Sequence, residues 1–233
     1  FLVVASLGGR AAVCGVKVSD DTVVRLDLGK SEAANEVLEG LFADRFGTDK
    51  AKRERAATIQ SGAPVDEFMR TLAWKAYKAS PIQQELRKEF DEKVVKTADR
   101  TSPYLWRHVG ERPKDGWPLV IAMHGGGGAP KRVNDSQWKG MFERYYKDHP
   151  EVGGYVYLAL RAPNDEWNGF YDDRICPLVD RLILQFAVFG GVNPDKVVIL
   201  GASHGGYGAF VIGPKTPDRF SAVHASASAP TGG

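Results

Sequence analysis

The sequence has few cysteines, no long apolar run and almost no net charge. Its two cysteines, Cys14 and Cys176, lie far apart without metal-ligand spacing, so they support neither a disulfide framework nor a zinc site, although one bridge between them stays open. No stretch approaches the roughly 18 apolar residues of a membrane-spanning helix. A formal net charge of +2 gives no basic surface for nucleic acid.

What remains is the composition of a soluble globular protein, with 43% hydrophobic and 26% charged residues. The 233 residues suffice for one α/β domain and an extension. Residues 1–19 open with FLVVASLGGRAA and no Met, which is typical either of the end of a signal peptide or of a first strand. The signal-peptide alternative favours a processed protein that is secreted or periplasmic.

Residues 20–101 carry helical patterns. Helices are predicted to begin at Ser31, at Pro64 and at Ser80, where Ser80 and Gln83 form a capping box around Pro81. No cluster of titratable residues with metal or acid–base spacing occurs there. This part is therefore predicted to be a helical extension that packs on the domain after it.

Residues 102–233 alternate apolar strands with amphipathic helices, the pattern of a mostly parallel sheet with helices on both faces. A half-exposed strand is expected around Tyr104, Trp106 and His108. The further predicted strands are Pro118–Met123, Gly154–Leu160, Val197–Leu200 and Phe220–Ala227. One intervening helix should carry the stripe Trp138, Met141, Phe142, Tyr145 and Tyr146, and another should span Pro177–Phe189.

The most informative stretch is Val197–Phe210, VVILGASHGGYGAF. It matches the pattern G-x-S-x-G, in which a strand turns sharply into a helix and exposes a serine. Gly201, Gly205 and Gly206 leave room for such a turn, and the helix dipole would favour negative charge beside Ser203. The pattern indicates a nucleophilic Ser203, whereas the alternative is a glycine-rich corner that only packs helix on strand.

A second glycine-rich segment, His124 followed by four glycines, comes directly after the predicted strand PLVIAM. The carboxyl ends of parallel strands share one edge, so these glycines are expected on the same rim as Ser203. A phosphate site is less favoured, because GGGGAPK lacks the second Gly and the Ser/Thr of a P-loop, and Pro130 breaks the dinucleotide pattern.

Together the two segments resemble those of the α/β-hydrolase superfamily, and the likeness covers about residues 102–233. Within it the sequence resembles serine esterases such as poly(hydroxybutyrate) depolymerases, feruloyl esterases and dienelactone-hydrolase-like proteins. The resemblance implies that Ser203 is the nucleophile and that the oxyanion hole uses the N–H groups of His204 and of the glycine loop, Gly126 or Gly127. It implies no cofactor and no metal.

The sequence departs from this family after Ser203, where a catalytic acid and then a histidine should follow. The one acid there, Asp218, falls in a loop at the wrong edge of the sheet, and the one histidine, His224, is expected in the core of a strand. We therefore expect a C-terminally truncated fold whose acid and base lie beyond Gly233. Phe220–Ala227 would then be an open sheet edge through which a homo-oligomer can form.

Other residues of the rim have predicted supporting roles. His124 is expected to orient the glycine loop rather than act as a substitute base, and the His204 side chain to pack. Trp167, Asn168 and Tyr171, in the loop RAPNDEWNGFY, are predicted to line an acyl or alcohol pocket.

These residues are compatible with three functions. The first is a serine carboxylesterase that acts on a small-molecule or polymeric ester through an acyl-enzyme. The second is a serine peptidase, because the motifs also resemble prolyl-oligopeptidase-like enzymes. The third is a hydrolase fold with weak or no catalysis.

Overall fold

The computed structural model describes residues 2–7, 10–15, 74, 77–78, 83–172 and 174–230. The chain divides into two compact units, residues 1–86 and residues 87–233. In the first unit, strands β1 (Leu2–Leu7) and β2 (Arg10–Gly15) pair as an antiparallel hairpin. The helices predicted at Ser31 and Pro64 lie outside the described residues. Helix α1 (Gln83–Glu92) occupies the place of the third predicted helix.

A six-stranded sheet forms the centre of the second unit. Its strands are β3 (Val94–Lys96), β4 (Thr101–Val109), β5 (Trp117–Met123), β6 (Tyr155–Leu160), β7 (Val192–Ala202) and β8 (Ala222–Ser226). Their spatial order is β3-β4-β6-β5-β7-β8. Strands β6, β5, β7 and β8 run parallel, whereas β4 runs antiparallel to both of its neighbours. The sheet is therefore mostly parallel, as predicted, and β3 extends it to residues ahead of 102.

Helices cover both faces of this sheet, which confirms the predicted α/β fold class. They are α2 (Lys131–Gly140), α3 (Ile175–Phe189) and α4 (His204–Lys215). Short helical turns occupy Met141–Tyr145, Pro150–Val152 and Pro217–Arg219. No helix in the described part of the chain is long and apolar enough to cross a membrane.

Successive side chains of β5 point to opposite faces of the sheet and so belong to two separate core layers. Leu119 and Ile121 pack with side chains of α3 and α4, and Ala122 packs on the opposite face with Met141 and with Trp138 of α2. A strand that buries both faces needs apolar residues at every position, which is why its sequence is a continuous aliphatic run. The inward residues predicted for α3, Leu178, Val179, Leu182 and Phe186, are all buried.

The structure differs from the prediction at the end of α2. That helix ends at Gly140 and continues as a wider π-type turn, Met141–Tyr145, so the predicted single stripe is broken. Met141 is buried, but Tyr145 is 51% exposed. The i→i+5 hydrogen bonds of a π-type turn displace the side chains that follow from the face on which a regular α-helix would place them. The sequence pattern alone does not reveal this change.

Strand β8 lies at the edge of the sheet, with β7 as its neighbour among the described strands. The prediction that His224 belongs to a packed core was wrong, since His224 is exposed and Val223 is 44% exposed. An edge strand lacks the second neighbour and the full helix cover that bury a central strand. Association of two copies through this edge stays a prediction.

Strand β4 is half-exposed, as predicted, because Thr101 and His108 are exposed whereas Ser102, Tyr104 and Val109 are buried. The Tyr104 hydroxyl donates a hydrogen bond to Gln185 Oε1 of α3 at 2.9 Å. Because α3 covers this end of β4, the ring is enclosed and its polar tip finds a partner, as buried tyrosines require.

Candidate functional site

Ser203 occupies the sharp turn between β7 and α4. Its backbone has φ 53° and ψ −117°, a conformation that residues with a Cβ rarely adopt, and the residue is exposed. The Ser203 N–H donates to the carbonyl of Ser226 at 2.9 Å, and its own carbonyl accepts from the Tyr207 N–H at 3.0 Å. The strained turn is thus held from β8 on one side and from α4 on the other.

Glycines let the turn pack directly against strand β5. A Cβ on Gly205 would collide with the backbone carbonyl of Met123, and one on Gly201 would collide with the carbonyl of Gly205. The Gly205 N–H donates to the carbonyl of His124 at 3.0 Å. These close backbone contacts explain why the turn tolerates no side chain at these two positions.

The structure brings the glycine loop, residues 124–128, beside Ser203. Strands β5 and β7 are neighbours with Met123 opposite Gly201, so both segments leave the sheet at the same edge. A Cβ placed on Gly125 would lie 3.5 Å from Ser203 Cβ. Gly126 and Gly127 have φ values of 121° and 81°, which only glycine adopts without strain.

Three backbone N–H groups at this rim have no acceptor among the described residues. His204 is the first residue of α4, and the N–H groups of the first turn of a helix have no intrahelical acceptor. Among the described residues, the N–H groups of His204, Gly126 and Gly127 have no hydrogen-bond acceptor. Free donors at a helix N-terminus favour a negatively charged oxygen.

His124 uses both of its ring nitrogens within the fold. Its Nε2 accepts the Ala162 N–H at 3.1 Å, so its Nδ1 carries the proton and donates it to the Gly125 carbonyl at 2.6 Å. Burial lowers the pKa of His124 to about 3. This arrangement leaves no free nitrogen for the Ser203 hydroxyl and favours the predicted orienting role over that of a base.

We expect the His124 ring resonances to show no titration near pH 6.5, the ordinary pKa of histidine. Between pH 6.5 and pH 3 the unfolded chain binds a proton at His124 whereas the native ring stays neutral. The free energy of unfolding that His124 contributes is therefore complete above pH 6.5 and decreases as the pH falls toward 3. The unfolding free-energy difference between the protein and His124→Gln should shrink over that range, by at most about 1.4 kcal/mol per pH unit. Histidine NMR and urea unfolding measure both effects, and a ring that titrates at 6.5 would contradict the buried geometry.

The His204 side chain packs in the fold, as predicted, next to its free backbone N–H. The ring is buried, and its Nε2 donates to the carbonyl of Trp167 at 2.7 Å. Burial also lowers its pKa. The rings of Trp167, Phe170 and Tyr171 lie 5.5, 5.1 and 6.1 Å from it, centre to centre. His204 thereby connects α4 to the loop that follows β6.

Two of the three predicted pocket residues form an aromatic surface at this rim. Trp167 is 51% exposed and lies against Gly127, with Tyr171 at 6.5 Å between ring centres. Asn168 instead takes part in bonds inside its own loop, where its carbonyl accepts the Tyr171 N–H at 3.0 Å. Sequence reasoning missed Tyr207, 5.6 Å from Trp167, although its place four residues after Ser203 puts both on one helix face.

Sequence reasoning also missed a buried polar network beneath the glycine loop. Asn134 of α2 is 1% exposed, and Arg161, just after β6, is 5% exposed. Asp165 joins the two, because it accepts from the side chains of both. Asn134 comes from α2 and the other two residues from the loop after β6, at spacings that carry no recognisable signal, so only the fold shows that they meet.

No described histidine or carboxylate hydrogen-bonds the Ser203 hydroxyl. Asp218 lies in the turn Pro217–Arg219 with its carboxylate 3.7 Å from Arg219 Nε, and His224 is exposed on β8. Within the described ranges, no group of three or more histidine, cysteine or acidic residues is arranged to hold a metal ion.

No protein-family model and no curated protein matches this sequence. Among solved structures, it is similar to a thermostable esterase at 20% identity over 55% of this chain and 38% of that chain, with a TM-score of 0.42. An enterochelin esterase from Shigella flexneri matches at 16% identity over 57% of this chain and 34% of its own, with a TM-score of 0.40. An acetyl xylan esterase from Aspergillus awamori matches at 13% identity over 52% and 45%, with a TM-score of 0.35. This chain spans less than half the length of each of these three proteins.

Proposed function

We propose that this chain is a serine hydrolase of carboxylic esters with Ser203 as its nucleophile. The observation that carries the proposal is the position of Ser203, exposed on a strained strand-to-helix turn beside a glycine loop with free N–H groups. A backbone conformation of this kind persists at functional sites because the surrounding contacts enforce it.

In the proposed reaction, Ser203 Oγ attacks the ester carbonyl carbon and the carbonyl oxygen becomes negative. The N–H groups of His204 and of Gly126 or Gly127 donate hydrogen bonds to that oxygen, and each donor contributes about 3 kcal/mol to transition-state stabilisation. Collapse of this intermediate expels the alcohol and leaves an acyl group on Ser203. Water then releases the acid and restores the serine.

The Ser203 proton has to pass to a general base, because a neutral serine hydroxyl is a weak nucleophile. Both nitrogens of His124 are already bonded, and His204 donates its Nε2 proton to Trp167. The other His204 nitrogen, Nδ1, is buried without a partner among the described residues. The proposal assigns the base to none of the described histidines. Trp167 and Tyr171, with Asn168 in the same loop, would form the wall against which the substrate lies.

The test is labelling of the protein with a fluorophosphonate probe, followed by mapping of the modified peptide. We expect the label on Ser203, because the same oxyanion donors stabilise the phosphonyl adduct. Turnover of an aryl ester beside an aminoacyl amide then separates esterase from peptidase, with faster ester turnover expected. A folded protein that takes no label on Ser203 would refute the proposal.

A further inference from the structure

One buried side chain, Asn134, contacts two glycines of the glycine loop and the residue that follows the loop. Its Nδ2 donates to the Gly127 carbonyl at 3.0 Å and to the Ala129 carbonyl at 2.9 Å. Its Oδ1 lies against Gly126, where an added Cβ would strike it. One amide from α2 thus contacts Gly126, Gly127 and Ala129 and is itself shielded from water.

Charged residues hold that amide in place. Asp165 Oδ1 lies 2.9 Å from the same Nδ2, so the two hydrogens of this nitrogen are shared among three acceptors. Asp165 is in turn bound by Arg161, whose Nε donates to Asp135 Oδ1 of α2 at 3.0 Å. Arg161 also donates to the carbonyls of Ala162 and Asn164, so the guanidinium is enclosed by acceptors. Because three acceptors surround Nδ2, the orientation of the Asn134 amide is determined.

Glycine-rich backbone needs such support to serve as a binding site. Glycine loses more conformational freedom on ordering than any other residue, so a four-glycine run has no preferred shape of its own. Donors stabilise a developing charge well only when they are already in place before the reaction. The loop conformation, with φ of 121° at Gly126 and 81° at Gly127, has to be imposed by its neighbours.

We propose that Asn134, oriented by Asp165 and Arg161, is a positioning residue that holds the glycine loop in the conformation that stabilises the transition state. This inference rests on the proposed function, since it concerns the oxyanion donors of Ser203. The hydrogen bonds of Asn134 go to Gly127, Ala129 and Asp165 and not to Ser203, so it acts through the loop.

Asn134→Asp tests the inference with almost no change in shape. The ionised carboxylate cannot donate to the two carbonyls, and it faces Asp165 at hydrogen-bond distance. When protonated, it regains one O–H donor and loses its charge. Asn193→Asp is the matched control, because Asn193 lies at the opposite end of β7, where its Oδ1 accepts the Asp195 N–H and remains an acceptor after the change.

Two measurements on the full chain decide the outcome. In Asn134→Asp, amide hydrogen exchange at Ala129, whose N–H donates to the Gly127 carbonyl, should accelerate, and fluorophosphonate labelling at pH 8 should slow by about 100-fold. The labelling rate relative to the unaltered protein should rise again as the pH falls toward 5, because the new carboxyl group becomes protonated. Asp165→Asn keeps an acceptor oxygen, so its labelling rate should fall less than that of Asn134→Asp. Asn193→Asp should change neither the exchange rate nor the labelling rate.

Unchanged exchange in the loop of Asn134→Asp would overturn the inference whatever the labelling shows. Faster exchange with unaltered labelling would also overturn it, since the loop conformation would then not matter for the reaction. If the unaltered protein takes no label, the proposed function fails, whereas the exchange result still decides whether Asn134 holds the loop.

Discussion

Replacing Ser203 by glycine is expected to raise the melting temperature of the protein and to abolish ester hydrolysis. The φ of 53° and ψ of −117° at Ser203 are unfavourable for any residue with a Cβ and accessible to glycine. Relief of backbone strain should raise the free energy of unfolding by about 1–3 kcal/mol. Glycine also gives the unfolded chain more conformational entropy, which lowers that free energy by only about 0.4–1 kcal/mol. A net gain near 1 kcal/mol corresponds to about 2–4 °C in a chain of this size.

Ser203→Ala is the matched control for this prediction. Alanine also lacks the nucleophile, so both variants should lose at least about 10⁴-fold in kcat/KM, but alanine keeps the Cβ and with it the strain. Thermal unfolding and an aryl-ester assay on both variants measure the two effects. If the glycine variant melts below the alanine variant, the backbone at Ser203 stores no strain, and residual turnover in either variant would mean that another group is the nucleophile.

Replacing Gly205 by alanine should prevent stable folding of the sheet around β5 and β7. The added Cβ would meet the Met123 carbonyl oxygen and approach Met123 Cβ within 2.7 Å, and neither strand nor helix can move without breaking the hydrogen bond from Gly205 to His124. Backbone atoms cannot rotate away as a side chain can, so we expect a loss of more than about 4 kcal/mol, at the extreme of single substitutions.

Gly140→Ala makes the same chemical change where space is available. The nearest atoms to its Cβ are in the flexible guanidinium of Arg144, 3.7 Å away, and its φ of −61° is helical. This variant should therefore gain stability, by up to about 1 kcal/mol, from the helix preference of alanine. Soluble yield and urea unfolding compare the two variants, and a Gly205→Ala protein as stable as the parent would show that the turn is not packed as described.

Much of the fold was predictable because burial on both faces imposes a local pattern. The aliphatic runs at β5, β6 and β7 and the striped helix α3 can be recognised without knowledge of their neighbours. Local patterns do not report how many neighbours a strand has, and this explains the error at His224. They also do not report a change in helix type, as at Met141–Tyr145.

The candidate site likewise has one part that the sequence predicts and one part that it does not. The neighbourhood of Ser203 and the glycine loop followed from the topology, because the carboxyl ends of parallel strands meet at one edge. The polar network of Asn134, Arg161 and Asp165 did not, since these residues come from one helix and one loop at unrelated spacings. Tyr207 had a usable signal in its helical spacing from Ser203, whereas Asn134 had none.

The amino-acid pattern is sufficient to predict the order and type of the central strands and helices, the need for glycine at the turn and the exposure of a serine there. These are consequences of short-range sterics and of apolar periodicity, which act within a few residues. Three features emerge only when the chain is packed: both nitrogens of His124 are bonded, His224 lies exposed at a sheet edge, and Asn134 contacts the glycine loop. Hydrogen-bond partners and burial depend on which distant segments meet, and that is set by the packing of the whole sheet and its helices.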